Sequence, residues 1–161
     1  MKAVLCEKLG DPSTLAIVNM PLRPPGEGEV KIEVRAAGIN FPDILMVAGK
    51  YQHKPELPFI PGFEVAGKIL EMGSASHEFH CGDNVMAHMR TGGYAEQCIV
   101  PLEKIRALPE NFDFAQGAGF QVAYSTAYVS LVPRGNLEKG ETLLVHGGAG
   151  GVGLAAIQLG K

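Results

Sequence analysis

Polar and apolar residues alternate strictly between Glu29 and Arg35, with Val30, Ile32 and Val34 on one side of the backbone. A period of two is typical of a β-strand with one buried face. Further short β-prone runs, separated by glycine, proline and aspartate, occupy residues 2–6, 15–20, 63–72, 85–89, 94–100 and 104–108. Several short strands with glycine turns predict a β-barrel or β-sandwich over the first part of the chain.

Helical patterns interrupt this β-rich part and then replace it. Pro42 can open a short helix that Gly49 ends. Residues 111–117 and 121–132 carry alanine, tyrosine and leucine without strand alternation, and predict two further helices. The change of character predicts two domains, 1–121 and 122–161.

The segment from Thr142 to Lys161 predicts a strand, a tight glycine turn and a helix. Gly148, Gly150 and Gly153 satisfy the pattern G-x-G-x-x-G, in which the glycines permit a tight turn, close approach to a pyrophosphate, and helix packing. Amide groups at the start of the helix would then face the phosphates. An ordinary tight turn between a strand and a helix explains the same glycines.

A dinucleotide-binding domain needs further strand–helix units. The residue that reads the ribose lies roughly 20 residues beyond the glycines, a position that falls after Lys161. We therefore expect this chain to hold only the start of a cofactor domain.

Composition sets broad limits on function. The 161 residues are 46% hydrophobic and 19% charged, and the net charge is −3. This balance is ordinary for a globular protein, and the missing basic cluster argues against binding to nucleic acid or to a membrane surface. Neither a long apolar span nor a signal peptide is recognisable, so we expect a cytoplasmic protein. Three widely spaced cysteines predict no disulfide framework.

One short segment is rich in possible metal ligands. His77, His80 and Cys81 lie within five residues of each other in SHEFHCGD. Their spacing is not that of a common structural zinc site, and no second cluster completes it. A solvated loop is the simpler interpretation, and we predict no metal site.

Seven motifs in one order resemble the medium-chain dehydrogenase/reductase superfamily. They are AAGIN-x-x-D, GKY, PGFEVAGKILEMG, GDNV, GGYAE, STAY and GGAGGVGLAAIQLGK. The resemblance covers the whole chain. It implies a mainly β GroES-like catalytic domain followed by the first strand, glycine turn and helix of an α/β Rossmann domain, with the active site in the cleft between domains.

The absence of zinc ligands indicates which branch of the superfamily this chain resembles. Its zinc alcohol dehydrogenases have cysteine, histidine and cysteine where this chain has Asn40, Phe63 and Val122. Those side chains cannot supply two thiolates and an imidazole, and the four-cysteine zinc lobe is absent from the sequence. The chain thus resembles the zinc-independent quinone oxidoreductase branch.

That resemblance implies transfer of hydride from NADPH to a quinone or to the β-carbon of an enone. Candidate donors to the oxyanion that develops on the substrate are Asn40 and Tyr51, with Asp43 orienting them. Each has a structural alternative: Asn40 closing a strand, Asp43 capping a helix, and Tyr51 packing beside prolines. We interpret Glu64 as a charge at the barrel rim and not as a catalytic residue.

The cofactor residues follow from the same resemblance. Thr126 matches a position that contacts the nicotinamide, although it could equally bond back to its own helical turn. The backbone expected at the pyrophosphate is that of Gly148, Gly150, Gly151, Val152 and Gly153. The superfamily also implies a homodimer formed through complete nucleotide domains.

Two other functions stay open at this point. One is an enoyl or acryloyl thioester reductase of the same superfamily. The other is a truncated, non-catalytic paralogue whose barrel serves as a partner-binding module. Because the cleft motifs are all present in the sequence, we favour the reductase.

Overall fold

The computed structural model describes residues 1–74, 76 and 78–161. The chain forms two compact units, Met1–Gly119 and Phe120–Lys161. The division therefore falls after residue 119, where the sequence pattern placed it after residue 121.

The first unit is built from antiparallel strands. Its sheet has the order β6-β3-β4-β5-β7, and β1 and β2 form a separate hairpin. The elements are β1 (Lys2–Leu5), β2 (Ala16–Asn19), β3 (Glu29–Gly38), α1 (Phe41–Val47), β4 (Glu64–Met72), β5 (Asn84–His88), β6 (Gln97–Pro101), β7 (Ile105–Ala107) and α2 (Phe114–Ala118). Isolated bridges join Ala3 to Ala95 and Cys6 to Phe59, which ties the hairpin strand to the rest of the unit.

The core of this unit lies on one face of the sheet. The alternation in β3 is confirmed, because Val30 and Ile32 are fully buried while Lys31 and Glu33 are only partly covered. Fully buried residues from the other strands pack with them: Val65, Ile69, Val85, Ala87, Val100 and Ile105. Each buried valine or isoleucine in this set stabilises the fold by about 1.5–3 kcal/mol through removal of apolar surface from water.

Two elements begin later than the sequence pattern suggests. The strand predicted from residue 94 begins at Gln97, because Tyr94 bonds through its amide to Pro61 and leaves the strand path. The helix predicted from residue 111 begins at Phe114, because Asp113 caps it by accepting a hydrogen bond of 2.7 Å from the amide of Gln116.

The second unit contains two helices, α3 (Gln121–Val129) and α4 (Gly151–Leu159). A turn of π-helix at Ser130–Arg134 continues α3. A small core of alanines joins the two helices: Ala123, Ala127, Ala155 and Ala156. Leu143–Val145, the predicted first strand, pair with no other strand among the described residues. A parallel strand acquires its hydrogen bonds from neighbouring strands, and Leu144 is 77% exposed.

The three cysteines are free and differ in their surroundings. Cys6 and Cys98 are buried, whereas Cys81 is exposed. Burial raises the pKa of the Cys98 thiol to about 12, and burial also raises the pKa of Cys6. Thiol reactivity depends on the thiolate form, so the three groups are chemically unequal.

Within the described part of the chain, we find no helix with both the length and the apolar character needed to cross a membrane.

Candidate functional site

Asn40 and Asp43 lie together at the start of α1. Asn40 is the residue that precedes the helix, and its amide N–H donates to Oδ2 of Asp43 over 2.8 Å. The amide of Asp43 in turn donates to the carbonyl of Asn40. Asp43 therefore stabilises the first turn of the helix, as the structural alternative for this residue predicts.

Asp43 accepts hydrogen bonds from three different segments. Besides the amide of Asn40, the amide of Gly62 donates to Oδ1 over 3.1 Å, and the hydroxyl of Tyr94 donates to Oδ2 over 2.7 Å. Asp43 is only 3% exposed. Burial raises the pKa of Asp43, and the three hydrogen bonds act in the opposite direction because they favour the ionised form.

Tyr94 is the phenol of this network. Burial and the hydrogen bond to Asp43 raise the pKa of Tyr94 well above its ordinary range. Its hydroxyl therefore remains protonated and remains a donor near neutral pH. Sequence reasoning did not select Tyr94, although the motif GGYAE contains it directly after two glycines.

Asn40 makes a second contact through its side chain. Its Nδ2 donates to Oε1 of Glu64 over 3.0 Å. Glu64 is 2% exposed, so the interpretation of this residue as a charge at the barrel rim is wrong. Its position as the first residue of β4 places it directly opposite Gly38 of β3, and Asn40 lies two residues after Gly38.

Tyr51 occupies a different environment. Its ring packs edge-on against Phe63, with 5.6 Å between ring centroids. This contact is apolar, and it matches the packing alternative for Tyr51. The structure thus brings Asn40 and Asp43 into one hydrogen-bonded group with Glu64 and Tyr94, and places Tyr51 against Phe63. The catalytic roles of Asn40, Asp43 and Tyr51 stay predictions.

Apolar side chains flank Asn40 along the chain. Ile39 is 83% exposed and Phe41 is 70% exposed. Large apolar groups beside a polar side chain are typical of sites that bind uncharged organic molecules. A substrate at Asn40 could therefore cover apolar surface as well as accept a hydrogen bond.

The glycine turn of the second unit is tight and packs closely against α4; its role at a pyrophosphate stays a prediction. Gly147 has a φ of +70°, and its carbonyl accepts from the amide of Gly150. A Cβ at Gly153 would lie 2.3 Å from the Gly147 carbonyl oxygen, so only glycine allows α4 to approach the turn. The first three amides of α4 belong to Gly151, Val152 and Gly153. They have no hydrogen-bond acceptor within the helix.

Thr126 lies on an exposed face of α3, where its carbonyl accepts a hydrogen bond of 2.7 Å from the hydroxyl of Ser130. Its contact with a nicotinamide stays a prediction. Of the possible metal ligands, His80 and Cys81 are exposed, and His80 lies 3.9 Å from the carboxylate of Asp83. His77 lies outside the described residues.

Comparison with known proteins gives consistent matches across this chain. Residues 26–133 match the family described as the alcohol dehydrogenase GroES-like domain. A quinone oxidoreductase-like protein 2 homolog from Nematostella vectensis is 40% identical over 98% of this chain and 43% of its own length.

Solved structures agree with the sequence match. The human synaptic vesicle membrane protein VAT-1 homolog-like protein superposes with a TM-score of 0.94 and 35% identity, over 99% of this chain and 52% of that one. The quinone oxidoreductase from Thermus thermophilus, also solved in complex with NADPH, has a TM-score of 0.86 and 38% identity, over 99% of this chain and 49% of that one. The chain spans about half the length of these relatives.

Proposed function

Because this chain belongs to the medium-chain dehydrogenase/reductase superfamily, in its quinone oxidoreductase branch, we propose that it acts in the zinc-free, NADPH-dependent reduction of a quinone or an α,β-unsaturated carbonyl compound. The observation that carries this proposal is the amide of Asn40. It is anchored to buried Glu64 and flanked by the exposed apolar side chains of Ile39 and Phe41.

Asn40 is the group that binds the substrate oxygen in this proposal. An amide nitrogen carries two N–H groups, and one of them donates to Glu64. The other is available to the carbonyl of the acceptor, where negative charge increases during reduction. A fixed donor at that oxygen stabilises the transition state more than the ground state.

The glycine turn serves the cofactor. In this proposal a pyrophosphate lies at the turn of residues 147–153, and the first amides of α4, at Gly151, Val152 and Gly153, donate to it. NADPH supplies the hydride when it is bound. The chain contributes the pyrophosphate site and the polar group around Asn40.

Zinc takes no part in the proposed reaction. Asn40 and Phe63 occupy positions at which the zinc branch has ligands, and neither offers a thiolate or an imidazole. A chelator should therefore leave turnover unchanged, and elemental analysis should find no stoichiometric zinc. A stoichiometric zinc signal together with loss of turnover on chelation would contradict this part of the proposal.

The main test is a substrate panel with the chain joined to a complete nucleotide domain. We would compare quinones, enones and enoyl thioesters, with NADPH and NADH as reductants. Asn40→Ala should lower kcat/KM by about 100-fold, the usual cost of removing an oxyanion donor. Asn111→Ala, at an exposed position, is the matched control and should have no effect.

The same panel separates the alternatives. A preference for enoyl thioesters over every quinone and enone would identify a thioester reductase. No turnover with any acceptor would contradict the proposal and favour a partner-binding module. Equal activity of wild type and Asn40→Ala would show that another group binds the substrate oxygen.

A further inference from the structure

Glu64 is a buried acidic residue to which the proposed reaction assigns no direct task. It is 2% exposed, and its Oε1 accepts the hydrogen bond from Nδ2 of Asn40 over 3.0 Å. Burying a carboxyl group is costly, and a merely solubilising role is excluded by the burial. The surroundings of Glu64 indicate what this arrangement achieves.

The fold makes room for this side chain. Gly38 is paired with Glu64 in the register of β3 and β4. A Cβ at Gly38 would lie 2.7 Å from both Cγ and Oε1 of Glu64, and 2.4 Å from the carbonyl oxygen of Ala118. Only a glycine at this position allows Glu64 to reach past β3 to Asn40.

The contact determines which way the Asn40 amide faces. A carboxyl group presents an acceptor oxygen in either protonation state, and the Oδ1 of asparagine cannot donate to it. The NH₂ end of Asn40 must therefore face Glu64, and rotation by 180° about χ2 would lose the hydrogen bond. Loss of this contact would therefore remove the constraint that Glu64 places on the orientation of the amide.

We propose that Glu64 is a positioning residue, which holds the Asn40 amide so that its second N–H is directed to the substrate carbonyl. This inference rests on the proposed function of Asn40. Glu64 acts through Asn40 and need not touch the substrate.

The first experiment measures the contact without any turnover. The chain has five asparagines, so selective ¹⁵N labelling gives five side-chain NH₂ pairs, and Asn40→Ala identifies one of them. In Glu64→Leu, which fills the space but offers no acceptor, we expect the two side-chain NH₂ signals of Asn40 to shift. Their protons should also exchange faster with water. Glu64→Gln, which keeps an acceptor oxygen, should retain the wild-type signal.

The second experiment measures the consequence for catalysis. With the acceptor that the panel identifies, Glu64→Leu should lower kcat on the order of tenfold with little change in KM, because a misdirected donor affects mainly the transition state. Glu64→Gln should restore kcat to within about threefold. In the double variant Asn40→Ala/Glu64→Leu, the second change should add almost nothing, since both act through one group.

Several results would overturn the inference. These are an unchanged Asn40 signal in Glu64→Leu, additive losses in the double variant, or failure of Glu64→Gln to restore kcat. Glu110→Leu, at an exposed site, controls for loss of an acidic residue, and thermal unfolding confirms that each variant is folded. Glu64→Met replaces Glu64→Leu if leucine is not accommodated. Absence of turnover in the wild-type protein would contradict the proposed function. The NMR comparison would still test whether the Asn40 side chain is hydrogen-bonded to Glu64.

Discussion

At the residue scale, Asp43 is the point where three segments of the first unit meet. Its two oxygens accept from the amides of Asn40 and Gly62 and from the hydroxyl of Tyr94. Three donors offset much of the cost of burying a carboxyl group. Loss of any one donor should therefore be measurable in the stability of the protein.

Tyr94→Phe removes the side-chain hydroxyl that donates to Asp43. We expect the free energy of unfolding to fall by about 1–3 kcal/mol near neutral pH, as measured by urea denaturation. Tyr128→Phe is the matched control, because Tyr128 is exposed. Equal stability of the two variants would contradict a structural role for the Tyr94 hydroxyl.

The same variant should change how stability depends on pH. The folded-state pKa of Asp43 is raised above its ordinary value of 3.8, so the folded state binds the proton more tightly than the unfolded state. The contribution to stability is then full below pH 3.8 and is lost as pH rises through the folded-state pKa. Because the Tyr94 hydrogen bond lowers that pKa, Tyr94→Phe should extend this loss to higher pH. A pH profile parallel to that of wild type would contradict the assignment.

Of the four residues in this polar group, the sequence predicted Asn40 and Asp43 as site residues. Asn40 and Asp43 are three residues apart, so their proximity follows from a single helical turn. Glu64 and Tyr94 come from segments 24 and 51 residues away from their partners. Only the register of the folded strands brings them together, and local pattern contains no information on that register.

At the scale of elements, two glycines allow the segment before β4 to lie against the segment before β6. Gly62 has a φ of +108°, and a Cβ there would lie 2.8 Å from the Cα of Gly93 and 2.7 Å from the ring of Tyr94. This close approach aims the Gly62 amide at Asp43. The packing of the two segments and the polar group therefore depend on each other.

Gly62→Ala should destabilise the protein by about 3 kcal/mol, because crowding adds to the backbone strain of a left-handed conformation. Gly82→Ala is the matched control: its φ is +97°, and a Cβ there would meet no described atom within 4 Å. Backbone strain alone should cost this control about 1 kcal/mol. Equal losses in chemical denaturation would show that contact with Gly93 and Tyr94 is unimportant.

The glycine turn of the second unit offers a similar comparison within one helix. Gly153→Ala would place a Cβ 2.3 Å from the Gly147 carbonyl oxygen, whereas the nearest contact for Gly151→Ala is Cβ of Ala123 at 3.8 Å. We expect Gly153→Ala to lower stability by about 2 kcal/mol and Gly151→Ala to cause no loss, since alanine favours helix. Thermal unfolding of both variants tests this, and equal tolerance would contradict the tight packing of α4 on the turn.

Elements with a strong hydrophobic periodicity, or with glycine or proline at their ends, were predictable from the sequence. The alternation of β3 and the glycine-ended helix α1 are confirmed. The segment Leu143–Val145 has the apolar character of a strand, but hydrogen bonding in a sheet depends on a neighbour that local sequence cannot supply. For the same reason, the departure of Tyr94 from the path of β6 is visible only in the folded structure.

At the scale of the whole molecule, the two units differ in how they are stabilised. The first has a core of large branched side chains, and the buried core of the second consists of four alanines. In the second unit, large apolar residues such as Leu144 and Leu154 are exposed. Alanine buries little surface, so the second unit should have the lower local stability.

Hydrogen exchange should show this difference directly. We expect amides of α3 and α4 to exchange at least about tenfold faster than those of β3 and β4. Limited proteolysis should accordingly remove residues 120–161 and leave a resistant fragment of residues 1–119. Uniform protection across both units would contradict the division of stability.

Cofactor binding should also reflect the whole molecule. Because the chain spans about half the length of the relatives it matches, we expect the isolated 161 residues to bind NADPH weakly and to reduce little quinone. Cofactor fluorescence combined with sedimentation measures both affinity and self-association. Micromolar binding by the monomer would contradict this expectation.

The unequal burial of the cysteines allows a spectroscopic label to be attached at a single site. Cys81 is exposed, whereas Cys6 and Cys98 are buried with raised pKa values. A maleimide dye or nitroxide should therefore attach at one position in the native protein, and the other two thiols should become reactive only on unfolding. A reporter in the first unit can thus be introduced without altering any residue, which leaves the polar group around Asn40 intact for every comparison of variants.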